Sequence, residues 1–350
     1  MMRCAVVVHG PEAVDTGLAL RVLELLESEY DVRAVMSGYT GVAAVVDAGL
    51  QGRIDIREHH VPSVTLRRLA PEVELLVLVN SAKDEGSALR FGSIVSSRCA
   101  DILVPLVQVD ALMVLPWNDA LRQALQLADA LGIPLMVPTR TPDEEEEGWR
   151  RLGGVHPGEN VWINGVVVGK ATSEDVRIHC EEGRLQAHGI ALKETGVRRL
   201  GAFVAATAHI RSGVTRRTAA IPRQIPSVGG EEGRLIDHSA EEAITTCRDA
   251  AYVVTIGDDT GRAAAALLFR FGVRVLAITD GDEDGICPEV LSTTGSMELR
   301  MMPGTDDIVG AEVRQKLFSQ GATSLRFGEM VDAIVCIAGD RLLWKSERKD

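Results

Sequence analysis

Between residues 1 and 140, short runs of Val, Ile and Leu alternate with stretches in which apolar residues recur every three to four positions. The runs predict strands at Cys4–Val8, Val32–Met36, Glu74–Val79, Ile102–Val107 and Ile133–Val137. The periodic stretches predict helices at Thr16–Glu29, Thr40–Ala48, Ser63–Leu69, Phe91–Arg98 and Asp119–Leu131, several opened by Ser, Thr or Asp. Strands that are apolar along nearly their whole length are covered on both faces, so an open, doubly wound parallel sheet is expected over residues 1–150.

The period changes to two after Asn160. Val161–Ile163 and Val166–Val168 flank Asn164-Gly165, a strong hairpin signal, and Val176–Cys180 and Leu185–Ala191 flank a turn at Gly183. A small antiparallel β unit is expected over 151–211. Residues 212–235 hold Pro222, Pro226, Gly229 and Gly230 with little apolar periodicity, and predict a long exposed connection. From 236 to 350 the βα alternation returns, with strands Tyr252–Ile256, Val273–Thr279 and Glu298–Met302 and helices Ala240–Arg248, Thr260–Phe271 and Asp307–Ser319. The expected fold is therefore α/β, with two Rossmann-like parallel-sheet domains and a small antiparallel β unit between them.

Charge refines this map. The 350 residues carry a net charge of −13, which disfavours extended nucleic acid and anionic membrane. Between Arg198 and Arg234, however, seven arginines face two glutamates, a local +5 that leaves −18 on the rest of the chain. Acidity gathers at Asp143–Glu147 and in two loops near the C-terminal strands. Six scattered cysteines without a C-x-x-C pair fit reduced thiols and disfavour zinc. Neither a signal-like leader nor about 18 consecutive apolar residues is visible, so a cytoplasmic protein is expected.

In open parallel sheets ligands bind beyond the carboxyl ends of the strands. Those positions in the last domain are Gly257-Asp258-Asp259-Thr260-Gly261 and Asp280-Gly281-Asp282-Glu283-Asp284-Gly285. Converging carboxylates repel one another, and protonation, arginines, solvation or a hard cation relieves the repulsion. With oxygen ligands alone, the cation would be magnesium, manganese or calcium. Asp280, Asp282 and Asp284 are the candidate metal ligands, and Asp258 and Asp259 the residues that would complete the shell or orient water. Arg216, Arg217 and Arg223 are candidates to fold over a phosphate. The first sheet offers Gly38, Thr40, Gly41 and Lys83 for an anion, and His9 for acid–base work because its ordinary pKa lies near neutrality. Helix caps, turns and surface ion pairs account equally well for each of these groups taken singly. No G-x-G-x-x-G or P-loop spacing supports NAD or an ordinary NTPase, and nothing points to haem.

The stretch Ile278-Thr279-Asp280-Gly281-Asp282-Glu283-Asp284-Gly285-Ile286 resembles the first motif of DHH-type phosphoesterases, which hold two manganese ions, with Asp280 where their His stands. It is also similar to the Asp-x-Asp of magnesium-binding toprim domains. Over nearly the whole chain, His9-Gly10-Pro11-Glu12, Asp47-Ala48-Gly49-Leu50, Trp162-Ile163-Asn164-Gly165 and Gly257-Asp258-Asp259-Thr260 with Ile278-Thr279-Asp280-Gly281-Asp282 resemble an uncharacterised archaeal family, domain of unknown function 2117, found chiefly in methanogens. That resemblance implies an archaeal cytosol and no particular activity. The expected function is a divalent-metal-dependent enzyme acting on a phosphate-bearing small molecule, of phosphoesterase or phosphotransfer type. The alternative is a non-catalytic ligand-sensing or scaffold protein, and a homo-oligomer is open to either.

Overall fold

The computed structural model describes residues 1–350 except 58–59, 139–147, 206, 209, 215, 227–228, 238–242, 282–292 and 347–350. The acidic run Asp143–Glu147 and the candidates Asp282 and Asp284 lie outside the described residues.

The first sheet contains β1 (Met2–His9), β2 (Tyr30–Ser37), β3 (Ile54–Asp55), β4 (Leu75–Asn80), β5 (Leu106–Asp110) and β6 (Val114–Trp117), in the order β3-β2-β1-β4-β5-β6. All pairings are parallel except β5 with β6. This is the Rossmann order, with its switch point between β1 and β4. Its two faces are packed separately, as the apolar strands require. Cys4, Val6 and Val8 face α2 (Leu18–Leu26), α3 (Thr40–Asp47) and α6 (Leu121–Leu131), while Ala5 and Val7 face α4 (Pro62–Leu69) and α5 (Glu85–Ser97).

Two expected strands differ. The strand expected at Ile102–Val107 starts at Leu106, because Pro105 lacks the N–H that a central strand must donate. It then runs on through Gln108 and Asp110, polar positions that are fully buried and hydrogen-bonded. Ile133–Val137 contributes only an isolated bridge at Leu135, and the sheet edge is instead β6, turned back on β5. The helix expected at Thr16–Glu29 is α2, which starts only at Leu18 because Gly17, at φ 75°, separates it from a short preceding α1 (Glu12–Asp15).

The middle of the chain forms two antiparallel sheets, β11-β10-β7 and β12-β9-β8-β13. Their strands are β7 (Trp149–Leu152), β8 (Asn160–Ile163), β9 (Val166–Ala171), β10 (Val176–Glu181), β11 (Arg184–His188), β12 (Ile190–Leu192) and β13 (Ile210–Ser212), with α7 (Glu194–Leu200) against β9. Asn164 and Gly165 both take positive φ, 49° and 83°, the turn that matches strand twist in a two-residue hairpin. Val161, Ile163, Val168, Val176, Ile178 and Leu185 fill one shared core.

The last sheet has the order β18-β14-β15-β16-β17-β19. Strands β14 (Gly233–Asp237), β15 (Tyr252–Ile256), β16 (Arg274–Thr279) and β17 (Met297–Met301) are parallel and sequential, while β18 (Ala322–Thr323) and β19 (Leu342–Lys345) are antiparallel edges. Helices α8 (Ala243–Cys247) and α9 (Asp258–Phe269) cover one face, and α10 (Asp306–Leu317) and α11 (Phe327–Ala338) the other. One hydrophobic cluster runs from α2, α3 and α6 into α8 and α9, so the two large sheets share a core through their helices.

The connection after β13 lacks regular structure among its described residues but is not uniformly exposed. Arg216 is only 6% exposed. Its guanidinium donates to Asp15 at 2.6 and 2.8 Å and to Asp47 at 2.7 Å. Asp47 also receives Arg270 Nη2 from the C-terminal end of α9 at 2.7 Å. Buried charge is tolerated only when paired and hydrogen-bonded, and this alternating network meets that condition.

Candidate metal centre

Three consecutive parallel strands end in the same way. After β15, Gly257 at φ 96° turns the chain into α9, whose first residue is Asp258. Asp280 directly follows β16, and after β17 the turn through Gly304, φ 75°, leads to Asp306 at the start of α10. Parallel pairing at about 4.8 Å spacing places these ends side by side. One carboxylate oxygen from each of Asp258, Asp280 and Asp306 lies within 4.8 Å of the others.

Backbone donors hold the group in place. Asp258 Oδ2 accepts from the Asp280 N–H at 3.0 Å and Oδ1 from the Gly281 N–H at 2.9 Å. Asp280 Oδ2 accepts from the Gly304 N–H at 2.6 Å, and Asp306 Oδ1 from the Asp307 N–H at 2.8 Å. Burial, opposed by the two N–H donors and reinforced by the neighbouring Asp280 charge, raises the Asp258 pKa. Burial pushes Asp306 up to about 6, with the charges of Asp280 and Asp307 adding to it. Asp306 is 2% exposed and makes no direct ion pair among the described residues, since Arg199 of α7 bonds to Asp307 instead, at 3.1 Å. Such a group can relieve its repulsion by taking a proton or a cation, and an all-oxygen donor set suits a hard divalent ion.

The sequence-predicted residues are distributed over the two large sheets. Asp258 and Asp280 meet, while Asp259 stands beside them in the first turn of α9, outside the converging group. Asp306 was not singled out by sequence reasoning, although the rule that selected Asp258 and Asp280, an acid just beyond a parallel strand, applies equally to the end of β17. His9 ends β1 in the first sheet and stacks on Phe91 with ring centroids 4.7 Å apart. The Gly38 N–H donates to His60 O at 3.2 Å, Thr40 opens α3, and Gly41 is buried against Met36. Lys83 Nζ is bound to Glu159 at 2.6 Å and to Ser212 Oγ at 3.0 Å, joining the first sheet to the middle unit.

The arginines of the connection engage the first sheet. Beside Arg216, Arg217 donates its N–H to Glu12 Oε1 at 2.6 Å and Nη2 to Ser81 O at 2.8 Å. Glu12 follows β1 and Ser81 follows β4, so Arg217 spans the switch-point crevice. The Arg223 N–H donates to Asp47 at 2.9 Å, and its exposed side chain lies beside Gly49.

These features define an α/β protein of two large, mostly parallel sheets with a strand-end aspartate cluster able to hold a metal ion. The chain belongs to the family described as an uncharacterized protein conserved in archaea (DUF2117), which matches residues 6–321. It is similar to the uncharacterized protein MJ0065 of Methanocaldococcus jannaschii, at 34% identity over 335 residues, covering 90% of this chain and 92% of that protein.

Proposed function

We propose that the protein is a divalent-metal-dependent enzyme acting on a phosphate-bearing small molecule, by phosphoester hydrolysis or phosphoryl transfer. The observation that carries this reading is the convergence of Asp258, Asp280 and Asp306 at the ends of three neighbouring parallel strands, with Asp306 buried and, among the described residues, lacking a direct cationic partner. The ion would be magnesium or manganese, since no sulfur or imidazole joins the group among the described residues. When bound, such an ion polarises a phosphoryl oxygen and lowers the pKa of water. Asp280 and Asp306 would supply ionised ligand oxygens. Asp258, fixed by two backbone donors, would hold its carboxylate orientation, and Asp259 in the next position would orient water.

Phosphate release from a panel of small phosphomonoesters and phosphodiesters tests the reading. Activity should require added magnesium or manganese and fall by at least about a hundredfold in Asp280→Asn. Metal binding without turnover on any ester would favour the ligand-sensing alternative, and turnover undiminished in Asp280→Asn would refute the assignment of the site.

A further inference from the structure

Arg199, Arg314 and Arg300 are carried by, or paired to, elements of the aspartate cluster, and the first two are engaged. Arg199 pairs with Asp307, and Arg314 pairs with Asp237 at the end of β14. The third, Arg300, is in register with Thr279, the residue before Asp280, and its exposed side chain makes no hydrogen bond or ion pair among the described residues. Its guanidinium lies directly against Gly281, so close that a Cβ at that position would collide with it. Gly281 also takes a φ of 92°, in the left-handed region, and donates its N–H to Asp258. The glycine thus does two things: it closes the turn that fixes Asp258, and it leaves room for a guanidinium beside the acids.

An arginine without a hydrogen bond or ion pair among the described residues, set against the glycine that follows Asp280, needs a physical reason. Asp258 is occupied by two backbone N–H groups and Asp280 Oδ2 by a third, while Asp306 is buried. These acceptors are engaged within the fold, while Arg300, against Gly281, stands at the edge of the cluster without a partner among the described residues. A planar guanidinium with parallel donors matches phosphate oxygens, and such charge-assisted pairs are stronger than neutral ones.

We infer that Arg300 is a substrate-binding residue of this site, holding the phosphate group of the ligand at the rim of the aspartate cluster. The inference rests on the metal-dependent reading above and adds to it the residue that would select an anionic substrate. Lysine would keep the charge but lose the paired donors, so Arg300→Lys should retain part of the affinity and Arg300→Ala little of it.

The test separates the two claims. Metal-stripped protein is titrated with manganese, and the loaded protein with inorganic phosphate and pyrophosphate, for wild type, Arg300→Lys and Arg300→Ala. Thermal melts confirm that the exposed substitutions leave the fold intact. Manganese affinity should be unchanged within about twofold in both variants, while phosphate or pyrophosphate affinity falls about tenfold or more in Arg300→Ala and less in Arg300→Lys. Manganese binding with phosphate affinity equal in wild type and Arg300→Ala, or with no phosphate binding to the wild type, overturns the role of Arg300 alone. Failure of the wild type to bind manganese overturns both readings.

Discussion

Asp306 pays for its burial in its titration. A carboxyl raised to about 6 in the folded protein binds its proton more tightly there than in the unfolded chain, where it titrates near 3.9. Its contribution to stability is therefore fully present below about pH 4 and is lost as pH rises through about 6, on the order of 3 kcal/mol. Urea unfolding in the presence of a chelator should show a midpoint that falls between pH 4 and 7, and Asp306→Asn should flatten that fall. Saturating divalent cation should reverse it, because the ionised carboxylate then has a partner. Asp47 behaves in the opposite sense. Burial opposes its charge, but hydrogen bonds from Arg270 and Arg216 hold its carboxyl below the ordinary range. Its contribution is present at neutral pH and is lost as pH falls below about 4. Asp47→Ala leaves both guanidinium groups without a shared acceptor and should cost about 3–5 kcal/mol in urea titrations. The pairing of Asp47 was not legible from sequence, and the strand-end place of Asp306, which the same rule could have found, was masked by its position in a helix. Asp306 reads as an ordinary acid in the first turn of a helix, and Asp47 finds partners 169 and 223 positions away.

At the scale of elements, period and turn chemistry carried most of the information. The strands β1, β2, β4, β15 and β16 and the Asn164-Gly165 hairpin are continuous in their signals. Strand β5 was misplaced because two of its five residues, Gln108 and Asp110, are polar, and burial of polar groups depends on distant partners such as Ala88 O and Asn80. Helix α5 begins earlier than its apolar period suggests, because Asp84 caps it by accepting the Ser87 N–H at 2.7 Å. Asp84 also faces His156 Nε2 at 3.3 Å across to the middle unit. Asp84→Ala should lower stability by about 1 kcal/mol, measured as a shift of the urea midpoint, with Asp84→Asn largely preserving it because asparagine caps comparably.

Over the whole molecule, the net charge of −13 is divided between unlike regions, and the arginine-rich connection offsets part of it internally. Arg216 and Arg217 bind the first sheet across Asp15, Asp47, Glu12 and Ser81, while Arg270 brings α9 of the last sheet to the same Asp47. The connection is thus a tie between the two sheets, a role that local composition, rich in Pro, Gly and Arg, does not reveal. Trypsin should spare the bonds after Arg216 and Arg217 in the folded protein, and Asp47→Ala should expose them, as seen by mass spectrometry of the first fragments. The aspartate cluster lies at the other end of α9 from Arg270, where three strands finish together and α7 of the middle unit reaches Asp307.

Calorimetric titration of metal-stripped protein with manganese tests the central claim most directly. One site should appear in the wild type and be lost or weakened at least about tenfold in Asp280→Asn and Asp306→Asn, with circular dichroism unchanged. Absence of binding to the wild type, or equal binding in both variants, would contradict the assignment of a metal to Asp258, Asp280 and Asp306.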